Sequence, residues 1–214
     1  MRLAGAQGRP RVRLRIATAQ AMTALGERLA RVLRAGDLVV LSGDLGAGKT
    51  TLTRGIGAGL GVRGEVTSPT FVIARVHPPL PGGGAAGLAL VHVDAYRLGS
   101  FAEVDDLDLD ASLEDAVTVV EWGEGLVEPL AQSRLEIKLI RPHGRVPAEG
   151  ADGPSGGGGG DAGDGGGDAG DEPRTVEIFS TGPRWAGVDL TDLSGLIDST
   201  GLIDSTDLDG PRRA

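Results

Sequence analysis

Leu38-Val-Val-Leu-Ser-Gly43-Asp-Leu-Gly-Ala-Gly-Lys49-Thr50 is the stretch on which the fold of this chain turns. Residues 37–42 form a short apolar run of the kind that fills a strand buried on both faces. Gly43 to Thr50 then spells glycine, four residues, Gly-Lys-Thr, the pattern of a phosphate-binding loop. Glycines allow such a backbone to wrap an anion with its N–H groups pointing inward. The start of the following helix adds a positive field. In this pattern the lysine, Lys49, reaches the outer phosphates and the hydroxyl of Thr50 ligates Mg²⁺. With 37 glycines in the chain, a chance match has to be considered. The flanking context argues against it, because a buried strand precedes the loop and a helix, predicted from about Thr50 to Leu60, follows. Gly59-Leu-Gly-Val-Arg-Gly64 shows the contrast. It matches a dinucleotide fingerprint but follows a helix instead of a strand, and so reads as a helix cap and loop.

Working outward, residues 12–17 alternate as a first strand. Thr18 is a plausible N-cap for a helix over 19–35, with apolar residues at Met22, Leu25, Leu29, Val32 and Leu33 and a stop at Gly36. Gly55, Gly57 and Gly59 weaken the second helix by roughly 1 kcal/mol each against alanine, so packing must hold it. Residues 65–76 read as a strand region broken at Pro69, and 77–87 as a Pro/Gly loop. Strands are predicted over 88–93 and 116–122. Residues 134–140 and 175–179 read as late strands able to pair as a hairpin. The alternation of strands and helices predicts an α/β, P-loop NTPase-like fold: a mostly parallel sheet flanked by helices, with that late antiparallel hairpin. The domain is expected over 12–188, with a disordered Gly/Asp-rich insertion at 145–172 and a disordered acidic tail at 189–214. The tail carries a tandem repeat, Gly195-Leu-Ile-Asp-Ser-Thr200 and Gly201-Leu-Ile-Asp-Ser-Thr206.

The net charge of −9 is unevenly placed. The insertion carries −6 and the tail −4, which leaves the rest of the chain at +1. A near-neutral core offers no footprint for DNA or RNA. No apolar run approaches the roughly 18 residues that span a bilayer, and no signal core follows the N-terminal arginines, so no membrane partner is expected. The chain has no cysteine, which removes disulfides and thiolate metal sites and fits a cytoplasmic location. Arginine outnumbers lysine 19 to 2, yet the loop position holds Lys49, a compact ammonium instead of a guanidinium fork.

A phosphate loop of this type needs an acid for its Mg²⁺ shell, usually at the end of a neighbouring buried strand. Glu121, after Val117-Thr-Val-Val120, and Asp94, after Leu90-Val-His-Val93, are the candidates; a solvated strand-end carboxylate is the alternative reading for each. His92 shares a strand face with Asp94 and either orients it or is a buried structural histidine. Thr67-Ser-Pro-Thr-Phe71 is either a phosphate-sensing switch around Thr70 or a proline turn. GTP specificity is disfavoured, since its Asn-Lys-x-Asp reader requires asparagine and the chain has none.

Four segments in order carry a resemblance: Gly43-Asp-Leu-Gly-Ala-Gly-Lys-Thr-Thr51, Ser68-Pro-Thr-Phe71, His92-Val-Asp-Ala-Tyr-Arg-Leu98 and Val120-Glu-Trp-Gly-Glu124. Together they resemble the bacterial TsaE (YjeE) family, over about residues 12–141 and again 174–187. The resemblance implies a cytoplasmic, weak, partner-stimulated ATPase that supports threonylcarbamoyl modification of the adenosine beside the tRNA anticodon. It implies ATP and Mg²⁺ as cofactors and TsaB and TsaD homologues as partners, with tRNA reached indirectly through them. It further implies that Gly46, Ala47, Gly48, Lys49, Thr50 and Thr51 bind the nucleotide phosphates. Thr50 and Glu121 would hold Mg²⁺, and Asp94 would act near the γ-phosphate. Thr70 would be a switch residue, Trp122 a neighbouring site residue, and Ala19 would lie near adenine.

Two rivals share the first motif. A small-molecule kinase would need an arginine-bearing lid, and the insertion offers only Arg145 among many acids. A nucleotide-dependent binding module without useful hydrolysis is the other.

Overall fold

The structure, a computed structural model, describes residues 9–69, 71–81, 87–98, 100, 103, 114–141, 173–193 and the backbone of 202–204. The insertion at 145–172, the acidic segment over 104–113 and most of the tail lie outside the described residues. In chain order the elements are β1 (Val12–Ile16), α1 (Ala19–Val32), β2 (Leu38–Ser42), α2 (Lys49–Leu60), β3 (Ala74–His77), β4 (Ala89–Asp94), β5 (Ala116–Glu121), β6 (Arg134–Ile140), β7 (Arg174–Thr181) and β8 (Leu202–Asp204). They form one sheet in the order β3-β4-β5-β2-β6-β7-β1-β8.

The four central strands, β4, β5, β2 and β6, are parallel. β4, β5 and β2 are buried along almost their whole length, as strands covered on both faces must be, whereas β6 alternates buried Leu135, Ile137 and Leu139 with Arg134, Glu136 and Lys138. The expected hairpin is present, running from Arg134 opposite Thr181 to Ile140 opposite Thr175. Antiparallel pairing goes further than that hairpin, because β1 joins β7, β8 joins β1 and β3 joins β4. The fold is therefore the expected α/β, P-loop NTPase-like one, with a parallel centre and antiparallel margins.

Alternation along the strands separates two cores. Val39, Leu41, Leu90, Val117, Val119, Leu135 and Ile137 face α1 and α2. Leu38, Val40, Val91, Val93 and Val120 face the other way, onto Leu126, Val127 and Leu130. Both described α-helices thus pack on one face, and an irregular segment covers the other.

Thr18 caps α1 as its sequence predicts, accepting from the Ala21 N–H at 3.1 Å. The helix stops at Val32, short of the expected 35, because Leu33 turns extended and Asp37 takes over the chain. The Asp37 carboxylate accepts the Arg34 N–H at 2.8 Å and two nitrogens of Arg184 at 2.9 and 3.0 Å. The strand region predicted from residue 65 shrinks to β3. Pro69 accepts the N–H groups of both Val72 and Ile73 through its carbonyl, which makes a turn of the stretch.

The glycines of α2 explain its packing. A Cβ on Gly55 would lie 2.1 Å from the Thr23 carbonyl oxygen, and one on Gly59 would lie 2.6 Å from Cβ of Ala30. Across the interface, a Cβ on Gly26 would meet the Leu52 oxygen at 2.4 Å. Contacts advance in step along both helices, so α1 and α2 run parallel, with both N-termini at the carboxyl edge of the parallel strands.

The expected start of a disordered tail at 189 needs correction. Leu190 and Leu193 are buried against the helix-side core, and Arg28 donates to the Leu193 carbonyl at 3.3 Å. Two leucines seated in the core outweigh the acidic composition that follows. Leu202–Asp204, in the second repeat copy, pairs with β1.

Candidate functional site

Three parallel strands deliver the site. β2 runs into the glycine loop, and β5 and β4 end side by side, with Asp94 in register with Glu121. Both acids share strand parity with the residues that face α2, so both point toward its first turn. Loop and helix start are pinned to the sheet. Gly43 has φ 136°, and a Cβ there would sit 2.3 Å from the Leu139 carbonyl oxygen, so only glycine fits.

Lys49 begins α2. Its Nζ donates to the Gly43 and Asp44 carbonyls at 2.8 and 3.0 Å, and the Trp122 ring centroid lies 3.7 Å away. An ammonium has three donors, so a third is left for a phosphate-type acceptor. Burial pushes the Lys49 pKa down from its usual value, while Glu121, Asp94 and Asp44 pull it back up. Trp122 reaches the lysine from a left-handed backbone, φ 62°, which its N–H holds by donating to the Leu41 carbonyl at 2.9 Å. A non-glycine residue in that region is strained, and such strain concentrates at functional sites.

Thr50 and Glu121 meet beside the lysine. The Thr50 hydroxyl lies 2.9 and 3.2 Å from the two Glu121 carboxylate oxygens. His92, fully buried, sits with Nε2 at 2.8 Å from Glu121 Oε1. An ionised carboxylate only accepts, so opposite one Nε2 is the donor. His92 therefore serves Glu121, and not Asp94 as one sequence reading had it; the two share a face, but Asp94 points beyond the histidine to the loop. Asp94 accepts from the Ser68 hydroxyl at 3.2 Å and from the Tyr96 N–H at 3.1 Å, which also starts the turn Ala95–Arg97.

These groups line one cleft of about 430 Å³: Gly46, Gly48, Lys49, Thr50, Thr51, Asp94, Glu121 and Trp122, together with Leu45, Ser68 and Tyr96. Sequence reasoning missed Ser68 and Tyr96, although both lie inside segments it singled out. Ala47 sits within the loop, its side chain buried beneath it and its N–H donating to the Asp44 carbonyl at 3.1 Å. Ala19 is exposed at the start of α1, on the same sheet edge but outside this cleft. Thr70 lies outside the described residues.

Comparison with known proteins decides the family. The family model described as threonylcarbamoyl adenosine biosynthesis protein TsaE matches residues 16–146. The chain belongs to the TsaE family. A TsaE protein of Streptomyces coelicolor is 54% identical over 175 residues, covering 81% of this chain and all of the relative. The Bacillus subtilis TsaE protein is 40% identical over 119 residues, covering 55% of this chain and 70% of the relative. Among solved structures, Bacillus subtilis YdiB superposes with a TM-score of 0.52 at 27% identity, covering 79% of this chain and 84% of YdiB. Membership ties this chain to the biosynthesis of threonylcarbamoyladenosine in tRNA. The matched span contains α1, the glycine loop and both strand-end acids, so the cleft lies within the TsaE core. No described helix is long and apolar enough to cross a membrane.

Proposed function

We propose that this TsaE-family chain binds Mg-ATP in the cleft and hydrolyses it weakly, in the cytoplasm, on behalf of a TsaB–TsaD complex that modifies tRNA. The observation that carries this reading is the Lys49–Thr50–Glu121–His92 cluster at the first turn of α2. It joins a cation, a hydroxyl and a braced carboxylate at a helix N-terminus.

The donors suit Mg²⁺. Thr50 and Glu121 offer hard oxygens. No group of three or more acids, histidines or cysteines that could cage a metal exists among the described residues. Mg²⁺ is held by one or two side chains and completes its shell with water and nucleotide phosphates, so this sparse set is the appropriate one. Bound there, the ion neutralises charge on the outer phosphates.

The chain's own residues do the rest. Lys49 gives its remaining donor to the outer phosphates. The helix start and the N–H groups of Gly48 to Thr51 face the same charge. Asp94, held on both oxygens by Ser68 and Tyr96, orients the attacking water. Water adds to the terminal phosphorus as the bond to the bridging oxygen breaks, and ADP and phosphate leave.

The test is ATP turnover by the full chain, alone and with TsaB and TsaD homologues. Partner stimulation that Lys49→Ala abolishes is expected. Turnover and ATP binding unaffected by Lys49→Ala would refute the reading.

A further inference from the structure

We propose that the Trp122 indole is a displaceable cap on Lys49: the ring covers the donor that an outer phosphate needs, so an anion binds only by pushing the ring aside. This rests on the Mg-ATP reading above and gives Trp122 a role opposite to that of a residue that grips the ligand.

Lys49 has three donors. Two go to the Gly43 and Asp44 carbonyls at 2.8 and 3.0 Å. The indole stands against the same ammonium, with its ring centroid 3.7 Å from Nζ. Between carbonyls and ring, Lys49 is left only 5% exposed. An oxygen hydrogen-bonded to the ammonium takes up about 2.8 Å by itself. It also has to stay at van der Waals distance from the ring carbons, and both requirements do not fit within 3.7 Å. The ring and a phosphate oxygen therefore compete for one side of Lys49.

The ring is free to move while the backbone is not. The Trp122 N–H donates to the Leu41 carbonyl at 2.9 Å and holds the left-handed φ of 62°. Displacement is then a rotation about the side-chain bonds. A neighbour waits at the mouth of the cleft: the Tyr96 ring lies 5.3 Å from the indole, tilted by 58°. Tyr96 is exposed on the turn Ala95–Arg97, and exposed Leu45 lines the same cleft. An indole that leaves Lys49 keeps an aromatic partner and gains contact with solvent.

The strengths of the competing contacts set the selectivity. Burial works against the charge on Lys49, and Glu121, Asp94 and Asp44 work for it. The face of an indole attracts a cation more than any other side-chain ring does, which suits it to hold the ammonium. A charge-assisted hydrogen bond to phosphate is stronger than that contact, whereas water or a neutral ligand group brings no charge to set against it. The cap thus yields to an anion and stays closed to neutral ligands.

The experiment measures Mg-ATP affinity by calorimetry for the full chain and its Trp122→Phe and Trp122→Ala variants. Acrylamide quenching of tryptophan emission is read with and without Mg-ATP, and the thermal midpoint of each protein is recorded. The chain has two tryptophans, and Trp185, 1% exposed, supplies a constant background. Mg-ATP is expected to increase quenching in the wild type and to leave it unchanged in Trp122→Ala. Trp122→Ala should bind Mg-ATP about fivefold more tightly, the worth of a partly exposed cation–π contact, and Trp122→Phe, a weaker cap, should fall between. Where a lowered midpoint clouds the variants, the quenching of the wild type decides. Quenching that falls on binding, or a Trp122→Ala protein of unchanged midpoint that binds more weakly, overturns the cap in favour of a ring that grips the ligand. Wild-type binding with unchanged quenching overturns the cap and leaves the Mg-ATP reading standing. Failure of the wild-type chain to bind Mg-ATP overturns both.

Discussion

Replacing Gly55 by alanine sets helix propensity against packing, and the two give opposite signs. In an isolated helix the change stabilises by about 1 kcal/mol. In this fold the new methyl carbon would lie 2.1 Å from the Thr23 carbonyl oxygen, 2.9 Å from its carbon and 3.0 Å from Cα of Gly26. All three are backbone atoms of α1, so no rotamer change relieves the clash and the helices must part. Overpacking of this kind costs about 1–3 kcal/mol and more when backbone has to move. The expected net loss is about 2 kcal/mol, a fall in Tm of about 4–8 °C for a chain of this size. Gly57→Ala is the internal comparison. Its methyl would meet side-chain ends, Val66 at 2.7 Å and Leu90 at 3.3 Å, which can shift. Urea melts followed by circular dichroism should rank the variants wild type, Gly57→Ala, Gly55→Ala in falling stability. A Gly55→Ala protein as stable as wild type, or more so, would refute the close-packed crossing of α1 and α2.

Three further outcomes are expected. His92→Phe keeps the ring volume but removes the proton donated to Glu121; the Mg²⁺ concentration for half-maximal ATP turnover should rise about 10–100-fold, and an unchanged Mg²⁺ dependence would show that Glu121 needs no brace. Arg184→Leu leaves the buried Asp37 carboxylate without its two-pronged partner and should cost about 3 kcal/mol in a denaturant melt; adding Asp37→Leu should recover part of that loss, and purely additive effects would rule out the pairing. His77 has a pKa held below 6.5 by burial first, then by His92 and Arg75, against a backbone hydrogen bond involving Arg63. The unfolded chain therefore takes up this proton first as pH falls, so stability should decline from about pH 6.5 downward, and His77→Gln should flatten that decline between pH 5 and 7.

The phosphate loop was readable because its own chemistry enforces strand, turn and helix in sequence, and β2 and α2 follow from it. The acids were readable because parallel strands end at one edge, so a carboxylate closing an apolar run is carried to the site. What joins them was not. His92 shares parity with Asp94, but whether it meets Asp94 or Glu121 depends on the β4–β5 register, which one strand's sequence does not contain. The glycines of α2 looked like weakness in one dimension and are contact surface in three. Leu190 and Leu193 lie next to an acidic repeat, and composition averaged over the tail hid two residues that the core uses.

The parallel contact of α1 and α2 has a thermodynamic consequence for any ligand that spans both. α1 opens at Ala19 and α2 at Lys49, and the Gly26–Gly55 approach leaves little room for one helix to slide past the other. A ligand that reached from Lys49 to Ala19 would rest its two ends on two termini of a single stiff unit. No separate halves have to be drawn together when the ligand arrives, so the ordering entropy that a hinged site spends at each encounter is spent once, during folding. Widening the gap between the helices would loosen the ligand through that entropy even where every contacting side chain stayed in place.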